Sequence, residues 1–152
     1  MFIRRNSRFS RASRRGMAAV EVGLMLPWMV FSFMAVLDFG CAAYSMIAVQ
    51  NAARVGAMWG AASSTNAQSG STFTNKACTY ALDELQYAPG MSGVSTCGGS
   101  SIVSVSTSYS ASGAASMPTV TVGVTYTVSL LGIPAMMPSS LAITRTVQLP
   151  VR

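Results

Sequence analysis

The 152-residue chain contains no histidine, a single lysine, four acidic residues and three cysteines. Histidine is the commonest general base and metal ligand near neutral pH, so its absence removes the most frequent basis for either kind of site. The remaining catalytic options would use a serine with Lys76 or a pair of carboxylates. Asp83 and Glu84 are neighbours on a predicted helix, so their side chains point apart. We therefore expect no enzyme activity, no metal and no cofactor.

Charge is also scarce beyond Gly16, where four basic residues balance four acidic ones. The formal charge of +6 therefore comes entirely from six arginines in the first fifteen residues. Nucleic-acid binding requires a basic face on a folded domain, so we expect no nucleic-acid partner. A basic leader beside an apolar run follows the positive-inside rule, with the N-terminus cytoplasmic and the C-terminal domain outside. These arginines are Arg4, Arg5, Arg8, Arg11, Arg14 and Arg15. On its own, the leader of residues 1–15 cannot bury a core and should be disordered.

Residues 17–37 are apolar apart from Glu21 and Ser32. A helix over this run reaches about 32 Å, close to the hydrocarbon thickness of about 30 Å. A secretory signal has a shorter apolar region of about 7–15 residues, so the run predicts a single span of the lipid bilayer. A carboxylate costs at least about 2.5 kcal/mol at the centre of such a helix, which makes Glu21 a functional candidate. The alternative is a side chain that snorkels to the cytoplasmic interface, one turn away.

Small residues extend the helical pattern to about residue 62. Ala52, Gly56 and Gly60 continue a row that starts at Ala48, in which successive members are four positions apart. Such a row allows the backbone of another helix to approach closely. It could equally rest on the chain's own sheet, and the two arrangements are compatible. The resulting organisation is a leader (1–16), a transmembrane and assembly helix (17–62) and an extracytoplasmic domain (63–152).

The beginning of that domain is predicted to be a loop and one helix. Residues 63–73 are polar and predict the loop. Residues 74–87 predict a short helix that Thr74 caps and Pro89-Gly90 ends. Its apolar face consists of Cys78, Ala81, Leu82 and Leu85.

Alternating apolar and polar residues predict three strands, at 102–109, 119–128 and 141–151. This alternation is typical of an antiparallel sheet with one covered face, so the fold class is α+β. Arg145 falls on the apolar side of the third strand, either at the sheet margin or paired with Asp83 or Glu84. The apolar loop Leu130–Met137 either packs under the sheet or faces a partner or the membrane surface.

Two of the cysteines, Cys78 and Cys97, lie in the part predicted to be outside, where disulfides persist. A bond between them would close a loop of about twenty residues and add roughly 3 kcal/mol of stability in the chain-entropy model. We predict this disulfide, with two reduced thiols or a bond to Cys41 as the alternatives. Cys41 follows the apolar run and is interpreted as a small packing residue.

A glycine after a basic leader, then an apolar helix with a glutamate five places later, resembles the type IV prepilin processing site. The match is Gly16, Met17 as the new first residue, and Glu21. The resemblance implies that a membrane prepilin peptidase cuts after Gly16 on the cytoplasmic side. Cutting there creates an amine on Met17, and the amine of a neighbouring subunit could then neutralise Glu21 in the core of a fibre.

Residues 14–61 resemble the N-terminal signature of the TadE-like family, the minor pilins or pseudopilins of tight-adherence (Flp) pili. The match rests on Ala18-Ala19-Val20-Glu21, Leu26-Pro27, Asp38-Phe39-Gly40, Tyr44, Gln50-Asn51-Ala52-Ala53-Arg54 and Gly56-Ala57. Two departures are Val55, where an acidic residue is common, and Cys41, where a basic one is common. The predicted domain is similar to the globular heads of pilins.

The resemblance implies assembly rather than catalysis. The expected partners are the prepilin peptidase, other pilin or pseudopilin subunits, the inner-membrane pilus assembly platform and the lipid bilayer. The expected location is the bacterial inner membrane with a periplasmic domain, with a role in pilus assembly and cell adhesion. The alternative is a single-pass membrane-anchored binding module that is never cleaved. A type II secretion pseudopilin is disfavoured by the signature after Leu37.

Overall fold

The computed structural model describes residues 9–98, 102–112, 117–130 and 139–152, with the backbone alone for residues 9–15. The chain divides into two units, Met1–Leu37 and Asp38–Arg152. The first eight residues lie outside the described part, as does the predicted apolar loop Leu130–Met137 except for Leu130. The second unit contains a hydrophobic core and all three strands described below.

The first helix, α1 (Phe9–Ala61), is 53 residues long and continues through Pro27. It begins within the leader, so the disorder expected for residues 9–15 is not what the structure shows. The physical reason is that adding a turn to an existing helix is far easier than starting one. Arginine, serine and alanine all extend a helix at modest cost once the apolar run is helical.

Two shorter helices follow, α2 (Ser64–Gln68) and α3 (Ser71–Leu85). The predicted loop at 63–73 is therefore wrong, since most of it is helical. Thr74 is also not the cap, because α3 begins three residues earlier, with Gly70 at the N-cap position. Instead, the Thr74 hydroxyl lies 2.6 Å from the hydroxyl of Thr107.

The strands are β1 (Val103–Ser110), β2 (Thr119–Ser129) and β3 (Ser140–Pro150). They form one antiparallel sheet in the order β1-β2-β3, so β2 is central. Val124 of β2 lies opposite Val105 on one side and Arg145 on the other. The α+β fold class predicted from the sequence is confirmed.

The predicted face of β2 is fully buried, whereas β3 is the more exposed strand. Arg145 is exposed on this edge strand, which answers the question left open by its position: it lies at the sheet margin. Pro150 also lies on this strand, and an edge tolerates proline because one side of the strand has no ladder to complete. The buried β2 side chains are Val120, Val122, Val124, Tyr126 and Val128.

The core of the second unit is built from α1, α3 and the sheet. From α1 it receives mainly small residues, from α3 the row Phe73, Ala77, Ala81 and Leu85, and from the sheet the β2 face. The end of the chain is also attached, because the Arg152 amide donates to the carbonyl of Ala61, 3.1 Å away. That bond satisfies one of the carbonyls that every helix leaves unpaired at its C-terminus.

Candidate assembly helix and processing site

The predicted processing bond, between Gly16 and Met17, lies inside α1 rather than in a loop. Both residues are exposed, with 70 % of Met17 accessible to solvent. A side chain at position 16 would meet no atom within 4 Å, so packing in this structure does not require a glycine there. Packing therefore gives no reason for a glycine at position 16, as it gives none at Gly23 or Gly40.

Glu21 lies one helical turn after Met17 on the same exposed helix. Residues 16–34 are exposed without exception, and the large ones are mainly apolar. A carboxylate on such a surface is surrounded by side chains that suit lipid or another helix rather than water. Pairing with a well-placed cation would offset part of the cost of placing Glu21 in either environment.

The apolar surface of α1 gives it the character of a membrane span. Gly16–Ala61 is the candidate among the described residues, and its most apolar part is not buried at all. Large exposed patches of this kind on a folded chain mark a lipid or protein contact. By length and composition, α1 can therefore cross a bilayer.

The row Ala52, Gly56 and Gly60 is buried in the second unit. A Cβ atom built on Gly56 would lie 3.4 Å from both Ala77 of α3 and Val122 of β2. Of the two arrangements open from the sequence, the structure shows the one in which this row rests on the chain's own domain. Small residues are needed here because α3 and the sheet approach the α1 backbone closely.

Gly60 is the tightest of these positions. A Cβ built there would lie 2.5 Å from Cζ of Phe73, and the Phe73 ring stacks on Trp59 at a centroid distance of 5.9 Å. Phe73 is only 2 % exposed, so its ring has little freedom to move away. Phe73 falls in the loop predicted from the sequence. The steps of four positions that join Phe73, Ala77, Ala81 and Leu85 are the signal for a longer helix.

Replacing Gly60 by alanine should lower the free energy of unfolding by about 1–3 kcal/mol, the usual effect of overpacking a core. Gly56→Ala is the matched control on the same row, where the added methyl has contacts of 3.4 Å and no severe clash. There the gain in helix propensity of about 1 kcal/mol offsets the tighter packing. Chemical denaturation of both variants in detergent micelles measures the difference, and equal stabilities would contradict the assigned contact with Phe73.

Cys78 and Cys97 form a disulfide, with their Cα atoms 5.9 Å apart and a sequence separation of 19. The bond joins α3 to the segment that leads into β1. Cys41 is a free thiol of intermediate exposure. The predicted pairing is therefore present, and Cys41 is not part of it.

A buried polar group connects the sheet to the turn after α3. The Tyr126 hydroxyl donates to the carbonyl oxygen of Pro89, and Tyr126 is fully buried. Burial raises the pKa of Tyr126, and the nearby Cys41 adds a smaller contribution in the same direction. The phenol therefore keeps its proton and remains a donor. Alternation placed Tyr126 in the core, but the sequence carried no signal for its partner, 37 positions away.

A comparison with known protein families supports the family resemblance found in the sequence of α1. Residues 16–58 match the family model described as TadE-like protein, which confirms the resemblance drawn from the signature. No curated protein and no solved structure matches the chain. The family match covers most of α1 and stops before α2. The rest of the chain is therefore described from its own structure alone.

Proposed function

We propose that this TadE-like chain is a minor pilin or pseudopilin that takes part in the assembly of Tad (Flp) pili. The observation that carries the proposal is that one helix combines the family segment, the exposed apolar surface and the Gly16, Met17 and Glu21 constellation. A prepilin peptidase removes residues 1–16, and the new Met17 amine pairs with Glu21 of a neighbouring subunit. The mature helix then leaves the bilayer for a fibre.

In this proposal the second unit serves as a head that the helix presents outside the membrane, in the periplasm or on the pilus. Its partners are other pilin subunits and the inner-membrane assembly platform, and its contribution is to surface adherence. Two features support this role. The disulfide suits an oxidising compartment. The buried small-residue row packs the head against the C-terminal part of α1, so these two parts of the second unit share one core.

The role we propose is structural rather than catalytic. Within the described part of the chain, no three His, Cys, Asp or Glu side chains are placed to hold a metal ion. One open groove of about 380 Å³ is lined by Met58, Ala61, Ala62, Leu149, Pro150 and Arg152. Neither an acid–base pair nor a nucleophile with an adjacent base is present among those residues, and both are common requirements for hydrolysis or group transfer.

N-terminal processing separates this proposal from an uncleaved membrane anchor. We expect the chain extracted from native membranes to begin at Met17 and to have lost its six leader arginines, as measured by intact mass and N-terminal sequencing. Gly16→Leu should block processing, since the resemblance implies that the peptidase cuts after a glycine. Gly23→Leu is the matched control, because position 23 is equally exposed and has the same open space around it.

Mature protein that still begins at Met1 would overturn the pilin proposal and support the anchored binding module. If Gly16→Leu and the control are processed equally, the cleavage does not occur after Gly16. Deleting the peptidase gene should reproduce the Gly16→Leu result in the otherwise unchanged chain.

A further inference from the structure

The helix that continues through the processing bond conflicts with what a peptidase needs. Within α1, the amide and carbonyl groups around Gly16 and Met17 are held in i to i+4 hydrogen bonds. Peptide-binding clefts usually engage extended segments through these same main-chain groups. A bond in the interior of a regular helix, seven residues after its start at Phe9, is therefore not in a form that can be cut.

The structure also shows how little holds this part of α1 closed. Residues 16–20, at the start of the proposed span, are exposed, so tertiary packing adds nothing to the local hydrogen bonds there. Segments with few buried contacts open locally at a small fraction of the global unfolding free energy. Gly16 weakens the helix further, since glycine is the least favourable residue in a helix interior after proline. No packing contact requires that glycine, in contrast to Gly60.

We infer that unwinding of α1 from Phe9 to about Ala18 is the step that controls processing, and that Gly16 marks the point where the helix opens most easily. The inference rests on the proposed function and adds its regulation. When opening and closing are fast, the rate of proteolysis follows the population of the open form. The helical stability of the leader, and not only the residues beside the bond, then sets how much chain is released for assembly.

Variants that change helix propensity while keeping Gly16, Met17, Glu21 and every arginine provide the test. Ala12→Gly should increase the open population, and with it the cleavage rate, about fivefold. The double variant Ser10→Ala/Ser13→Ala should lower both by a similar factor. Ala43→Gly is the matched control, the same change on an exposed site of the same helix but remote from the bond. It should leave the rate unchanged.

The full-length chain in micelles is mixed with an excess of purified prepilin peptidase, and cleavage after Gly16 is followed by intact mass. Amide hydrogen exchange over residues 9–18 is measured on the same samples. Rates and exchange that change together support the inference. Cleavage rates within twofold of one another in all variants would overturn it, as would rate changes without matching changes in exchange. Wild-type chain that is never cut after Gly16 would instead refute the proposed function, and the inference with it.

Discussion

Replacing Glu21 by glutamine is expected to reduce incorporation of the chain into fibres at least about a hundredfold. In the proposed assembly the Glu21 carboxylate pairs with the Met17 amine of a neighbour among apolar side chains. Removing one partner of a buried ion pair typically costs about 3–5 kcal/mol, because the other charge stays buried and unpaired. Glutamine keeps the size and shape of the side chain, so the loss would come from the charge. The ratio of chain in sheared surface fibres to chain in membranes measures it.

Ser32→Ala is the control for this substitution, since Ser32 is the other polar residue of the run 17–37 and is equally exposed. It removes a hydroxyl that carries no charge and should assemble like the wild type. Processing after Gly16 should continue in both variants, so that failure of assembly is not a consequence of a retained leader. Normal incorporation of Glu21→Gln would exclude the pairing and leave Glu21 as a carboxylate that snorkels to the interface.

The proposed pairing also predicts the result of a second, stricter experiment with the same assay. A chain that keeps its leader because of Gly16→Leu has no amine at Met17, so the partner of Glu21 is already missing. Adding Glu21→Gln to Gly16→Leu should therefore produce little further loss, because the two changes remove the same interaction. Two independent losses that simply add would show that Glu21 and the Met17 amine act separately.

The long helix and the sheet could be predicted from the sequence because both depend on periodic patterns. Residues 17–37 required only length and apolar character, and the strands required only alternation over eight to eleven residues. The start of α1 at Phe9 could not be obtained in this way. Charge and polarity predict disorder for an isolated leader, whereas the structure reflects propagation from the apolar helix beside it.

The start of α3 shows a second reason why a prediction from the sequence can fail. Thr74 is a good capping residue, and local rules place the helix start there. The observed start at Ser71 instead extends the row that buries Phe73 against Gly60, a contact across thirteen positions. Local propensity carries no information about such a contact. Arg145 is similar, because its exposure follows from the edge position of β3, which only the strand order defines.

For the candidate site, the residues could be predicted from the sequence, but the structure around them could not. Gly16, Met17 and Glu21 were assigned from their spacing and from the family resemblance. The structure adds that the bond lies within a helix and that Gly16 has open space around it. The proposed partner of Glu21 belongs to another subunit, and an intermolecular contact leaves no pattern in the sequence of a single chain.

Removing the disulfide by the double substitution Cys78→Ser/Cys97→Ser is expected to lower the free energy of unfolding of the head by about 3 kcal/mol. The bond closes a loop with a sequence separation of 19, and in the chain-entropy model a cross-link of this span restricts the unfolded chain by that amount. The enclosed segment after Leu85 has little regular structure. It is held by short turns, such as the bond from the Met91 amide to the Ala88 carbonyl.

The measurement is denaturation of the full chain in micelles, followed by the fluorescence of Trp59, which lies against Phe73 in the core of the head. Trp28, which lies in the first unit, is replaced by phenylalanine in every sample so that one tryptophan reports. Cys41→Ser is the matched control, since it removes a thiol that forms no disulfide and should shift the midpoint little. A reducing agent should destabilise the Cys41→Ser protein as much as the double substitution does. If the double variant unfolds at the wild-type midpoint, the segment after Leu85 is held by its turns and by buried Ala88 and Met91 alone.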